Sequence, residues 1–128
     1  YVSVDIICKN GPLDPEEWLE MQQHPLYGLR VLCEYNIAHE VKGCCFEHHE
    51  QYEGSGYPQG LKGQDIHPMA RIISLVDCYD ALTTRRSYNA PMKPSLALDM
   101  MQDKLRERYD PEMLKALRSV MNTMKKLS

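Results

Sequence analysis

The chain has 128 residues, 43% hydrophobic and 26% charged, with a formal net charge of −3. That length makes one domain or a large part of one, able to bury a core without disulfides. Charges of both signs are interspersed with no basic run for nucleic acid, and no apolar run approaches the ~20 residues that span a bilayer.

Tyr1–Ile7 is β-prone, but short and without a partner strand. Asp14-Pro15-Glu16-Glu17 predicts a helix start: Asp14 caps, Pro15 takes the first position and Glu17 closes a capping box. This helix runs through Trp18 and Met21 towards His24. Pro25 opens a second helix, with Leu26, Leu29, Val31, Leu32 and Tyr35 as apolar positions. A third covers roughly residues 37–50, with Val41, Cys44 and Cys45 inward, and residues 51–67 form a loop holding four of the seven glycines. A fourth helix starts at Pro68 and runs to about Thr84, apolar on most sides as a central buried helix would be. Pro94 and Asp110-Pro111-Glu112 start two more, whose Leu96, Leu98, Met100, Met101 and later methionines read as core filling. The predicted fold is all-α. Cys8, Cys33, Cys44, Cys45 and Cys78 are odd in number and lack Cys-x-x-Cys spacing, so buried thiols in a reducing cytoplasm are expected rather than a zinc ribbon or disulfide framework. No signal peptide is visible, and a first residue Tyr1 predicts a piece of a longer protein.

The chemistry concentrates in two places. His48-His49-Glu50 runs into Gly54-Ser55-Gly56-Tyr57-Pro58, joining imidazole ligands to a loop that can approach a ligand closely. Downstream, Asp77 and Asp80 lie on an apolar helix and share a face with Thr84. Carboxylates on a buried face need a neutralising partner, and a metal supplies one. Adjacent helical residues diverge by about 100°, so His48 and His49 suit two ions or a bridged pair better than one ion. Histidine with carboxylate suits iron, manganese or zinc at a hydrolytic centre, and paired metals suit phosphoester cleavage. Each feature alone also has a plainer reading. A His-His pair decorates helix ends, Asp77 serves as a satisfied core carboxylate, Gly56-Tyr57-Pro58 is a turn, and His24 ends a helix. His39 and His67 are read as structural.

In sequence order, His48-His49-Glu50-x-x-x-Gly54-x-Gly56-Tyr57-Pro58-x-Gly60-Leu61-x-Gly63-x-x-Ile66, Ala70-Arg71-Ile72 and Asp77-x-x-Asp80-Ala81-Leu82-Thr83 closely resemble the HD-GYP domain, a branch of the HD metal-dependent phosphohydrolases. The likeness extends to Lys9-x-Gly11-x-Leu13-x-x-Glu16-Glu17-Trp18, His24-Pro25-x-x-Gly28, Arg86-Ser87-Tyr88 and Tyr109-Asp110-Pro111, and so covers nearly the whole chain. It implies an HD-domain-like bundle of about five or six helices. Residues 1–128 would be the C-terminal portion, with metal-site helices in 14–84 and C-terminal helices in 94–126. It implies metal ligation by His24, His48, His49 and Asp77, with two or three divalent transition ions, iron or manganese foremost. Gly56, Tyr57 and Pro58 would form the loop beside the substrate, Asp80 would orient ligands or substrate, and Arg86 would reach a phosphate. Arg71 would be a structural ion-pair partner first and a phosphate contact second.

The implied activity is hydrolysis of cyclic di-GMP to pGpG and GMP in bacterial second-messenger signalling. The alternative is a degenerate module that binds cyclic dinucleotide or a protein. An upstream regulatory domain, GGDEF-type proteins or a second copy are the implied partners, in the cytoplasm. Residues 1–13 contain no histidine, so the family's His-Asp pair and the lysine after it have no counterpart here. Asn89 stands where the family carries a second cation, Ser87 replaces proline and Glu53 replaces aspartate. These 128 residues alone are therefore expected to load metal incompletely and to turn over weakly or not at all.

Overall fold

Five helices of the chain carry a proline at their first or second position. In a computed structural model, which describes residues 1–84 and 90–127, seven α-helices and two 3-10 turns succeed one another, and no strand occurs among the described residues. The helices are α1 (Val4–Ile7), α2 (Pro15–Met21), α3 (His24–Cys33), α4 (His39–Glu47), α5 (Pro68–Thr83), α6 (Pro94–Lys104) and α7 (Pro111–Leu127). Asp14 caps α2 with the predicted reciprocal contact to Glu17, and Lys9 pairs with Glu17 on the same turn. His67 caps α5 by accepting from Met69 N at 3.2 Å.

Adjacent helices pack in sequence: α3 on α4, α4 on α5, and α5 on both α6 and α7. Gly28 lets α3 and α4 cross closely, since a Cβ there would stand 2.5 Å from Cys45 Sγ. Leu75, Met101, Tyr109 and Leu114 form the buried centre, wrapped by Cys78, Leu82, Leu105 and Leu117. Each fully buried side chain of this kind contributes about 1.5–3 kcal/mol, so this cluster is what anchors α5 to the C-terminal helices. Asp110 adds a polar bond. Its carboxylate accepts from Glu112 N and Met113 N at the start of α7 and pairs with Arg71 of α5 at 2.5 Å.

The structure corrects several expectations. The β-prone but unpartnered Tyr1–Ile7 run contains a helical turn, where the Ser3 hydroxyl accepts from Asp5 N and Ile6 is buried. A residue's strand propensity yields to a local cap and one good burial. The fourth predicted helix, α5, packs on α4, α6 and α7 but is not enclosed on all sides. Met69, Ile72, Ile73 and Val76 remain 39–48% exposed, and Asp77 is exposed too. Burial alone therefore does not oblige Asp77 to have a partner. Val41 points outward, Tyr35 lies beyond the end of α3, and Leu96 and Val120 are exposed. The thiols are not buried as expected: Cys8 and Cys33 are exposed and the other three are half-buried.

Candidate metal centre

Helix α4 ends at Glu47, with His48 as its C-cap. His48 keeps near-helical backbone angles (φ −66°, ψ −11°), and the two rings meet because both side chains lean across to the same neighbour. Both rings turn towards His24 at the start of α3. His24 Nε2 lies 3.3 Å from His48 Nε2 and 3.1 Å from His49 Nε2. Among the described residues these three form the compact metal-competent group, their ligand atoms all within 4.8 Å of one another.

Backbone carbonyls decide which nitrogens are available. His24 Nδ1 lies 2.7 Å from Met21 O, and His48 Nδ1 lies 2.8 Å from Cys45 O. A carbonyl only accepts, so each Nδ1 carries the proton and each neutral ring presents a bare lone pair at Nε2. Lone pairs meeting at 3.3 Å repel unless a cation lies between them. Metal–nitrogen bonds of about 2.1 Å at octahedral to tetrahedral angles place nitrogens roughly 3.0–3.4 Å apart, which matches both distances. The donor set therefore fits a divalent transition metal.

Burial favours the neutral forms of His48 and His49. It lowers the pKa of His48, and it lowers His49 to about 4, with the neighbouring His48 and His24 adding to the effect. A depressed folded pKa means that the unfolded chain binds protons first. In chelator, stability is expected to be full above about 6.5 and to fall as pH drops towards about 4. Thermal melts across that range should show a shallower slope for His49→Phe, and an unchanged slope would contradict the assignment.

Glu50 shapes the following loop. Its carboxylate is 2% exposed and accepts from Gln59 N at 2.7 Å and Leu61 N at 2.9 Å, clamping both ends of the Pro58–Leu61 turn. Tyr57 N donates to His49 O at 3.2 Å, and the Tyr57 ring stacks on His49 at 4.8 Å. Gly56 is required by close approach, since a Cβ there would lie 2.5 Å from both Glu50 Cα and His49 O. The signal for Glu50 in the sequence is a carboxylate shortly before a glycine-rich loop, which by itself assigns it no role. Glu50→Gln would turn an amide N–H2 towards one of the two donors. It is expected to cost about 2–3 kcal/mol in denaturant unfolding; a loss under 0.5 kcal/mol would show the clamp to be dispensable.

Asp77 lies outside the imidazole trio. It faces a cavity of about 120 Å³ that it shares with His48, His49, Cys78 and Tyr109. Its charge favours the protonated forms of His48 and Tyr57. Burial, then that charge, push the Tyr57 hydroxyl up to about 12, so it is a proton donor at neutral pH. Asp80 sits one turn on and is exposed, accepting from Thr84 Oγ1 at 2.9 Å at the end of α5. Pro58 is exposed, in the loop clamped by Glu50. Arg71 is engaged by Asp110, with both side chains under a tenth exposed. Arg86, Ser87 and Asn89 lie outside the described residues.

The HD domain family model matches residues 4–113. The chain belongs to the HD-domain family. Curated relatives support the HD-GYP resemblance. The 3'3'-cGAMP-specific phosphodiesterase 3 of Vibrio cholerae is 37% identical over 123 residues, covering 96% of this chain and 27% of that protein. A cyclic di-GMP phosphodiesterase of Thermotoga maritima is 35% identical over 113 residues, 87% of this chain and 31% of that protein. The chain thus spans about a quarter to a third of the length of these relatives. Among solved structures, Bd1817, an HDG"Y"P protein from Bdellovibrio bacteriovorus, shares this HD-domain fold with a TM-score of 0.69 at 20% identity, over 86% of this chain and 35% of that one. HD domains are metal-dependent, in agreement with the imidazole trio. No helix among the described residues is long and apolar enough to cross a membrane.

Proposed function

We propose that the chain is the metal-site and substrate-loop portion of a cyclic di-GMP phosphodiesterase, forming pGpG and GMP. One observation carries this reading: the Nε2 atoms of His24, His48 and His49 converge beside a Gly56-Tyr57-Pro58 loop clamped by Glu50. In it, residues 14–84 are the metal-site part of an HD-GYP domain and residues 94–126 brace that part.

His24, His48 and His49 would hold divalent ions, with Asp77 as the carboxylate ligand. The complete domain takes two or three ions of iron or manganese. When bound, they supply a Lewis acid and a water of lowered pKa for phosphoester hydrolysis. The protein's own groups do the positioning. Tyr57, held against His49, offers its hydroxyl proton to a phosphate oxygen. Gly56 lets the backbone come close, Pro58 shapes the rim, Asp80 orients groups from the next turn of α5, and Arg86 grips a phosphate. Arg71 holds α5 to α7 through Asp110. The protein acts in the cytoplasm, governed by a regulatory domain, a GGDEF-type partner or a second copy.

The full-length protein loaded with Mn²⁺ or anaerobic Fe²⁺ is expected to convert cyclic di-GMP to pGpG and GMP on chromatography, faster than it converts 3'3'-cGAMP. Absence of both products with either metal would sink the reading. A second reading, binding without turnover, is favoured by one feature: the compact ligand group contains no carboxylate. Calorimetric binding of cyclic di-GMP with no product would establish it.

A further inference from the structure

Trp18 is the only tryptophan of the sequence and is 47% exposed. Its helix, α2, has no buried residue and is held by polar contacts: the Asp14–Glu17 box, Lys9 to Glu17, and Ser3 N donating to Glu20 at 2.7 Å. About half of the indole surface is left open to solvent. Its ring contact is with Tyr57, edge-on at 6.1 Å and 80°. Tyr57 in turn stacks on His49 and meets His24 edge-on at 6.4 Å. A row of rings therefore leads from the metal-binding nitrogens, through the loop tyrosine, to a large open indole.

We infer that Trp18 is a base-stacking residue of this site, holding a purine of the cyclic dinucleotide beside Tyr57. The inference rests on the phosphodiesterase reading above. A phosphodiester gripped at the imidazoles carries its base one ribose away, and the ring row is the aromatic surface that adjoins them. An exposed indole costs transfer free energy that stacking a base recovers. Every base has a π-face, so stacking adds affinity without choosing between guanine and adenine. Trp18 therefore serves cyclic di-GMP and 3'3'-cGAMP alike, and discrimination between them lies elsewhere.

The test uses the Mn²⁺-loaded full-length protein and reads the part of its tryptophan fluorescence that Trp18→Leu removes. Cyclic di-GMP, 3'3'-cGAMP and GMP are expected to quench it, while ribose 5-phosphate, which lacks a base, is not. Trp18→Leu keeps apolar bulk but has no π-face. It is expected to weaken both cyclic dinucleotides about tenfold relative to inorganic phosphate, with Trp18→Phe within about threefold of the parent. Calorimetric binding of cyclic di-GMP without quenching, or Trp18→Leu binding as the parent does, overturns the role of Trp18 and leaves the phosphodiesterase reading standing. An indole shielded from acrylamide before any nucleotide is added, as a docked protein segment would shield it, overturns the role as well. No binding of any cyclic dinucleotide overturns both.

Discussion

His24→Ala is expected to lower the affinity of the chain for Mn²⁺ or Fe²⁺ about a hundredfold or more. Hydrogen-bond partners of ligands are already worth 10–100-fold, and this change removes a ligand itself. His24 is the shared member of the trio, its Nε2 lying 3.3 Å from one partner nitrogen and 3.1 Å from the other. Competition with a chromophoric chelator reads the loss. In excess chelator the same variant should unfold within about 1 kcal/mol of the parent, because the lost Met21 hydrogen bond is offset by relief of crowded lone pairs. His39→Ala, at the exposed start of α4, is the control and should leave metal affinity unchanged. Retention of metal within threefold by His24→Ala would remove the imidazole trio from consideration.

Asp110→Ala is expected to cost about 3–5 kcal/mol, since it strands the buried Arg71 guanidinium. Loss of the α7 cap adds to this, though not independently. Against the 5–15 kcal/mol that usually separates folded from unfolded domains, that is enough to populate unfolded chain at 37 °C. Arg71→Met should cost less, because Asp110 keeps its two backbone donors. The double variant Arg71→Met/Asp110→Leu should recover part of the loss, as buried pairs replaced by apolar side chains commonly do. Urea midpoints measure all three, and a single-variant loss below 1 kcal/mol for Asp110→Ala would show that the pair does not brace α5.

Trp18 and Glu50 show where sequence reading stopped. Both stand in segments whose family likeness was plain, yet neither carries a signal for what it contacts. Trp18 reads only as a position along the first predicted helix, and here it is half exposed beside Tyr57. Glu50 carries no assigned role in the sequence, and here it is a buried loop clamp. Partner identity depends on how the chain returns on itself, and neither spacing nor composition encodes it.

Helix starts at Asp14-Pro15, Pro25, Pro68, Pro94 and Asp110-Pro111 were determined by the sequence alone, because capping and proline geometry act within one turn. The metal-site residue types were legible for a similar reason, since His48, His49 and the Gly-Tyr-Pro loop are neighbours along the chain. Only the tertiary structure decided that His48 and His49 share one focus with His24, which lies 24 residues before His48. That outcome required Gly28 to let α3 close on α4, and the Met21 and Cys45 carbonyls to set the tautomers of His24 and His48. These are non-local contacts, and only the packed chain brings their partners within hydrogen-bond reach.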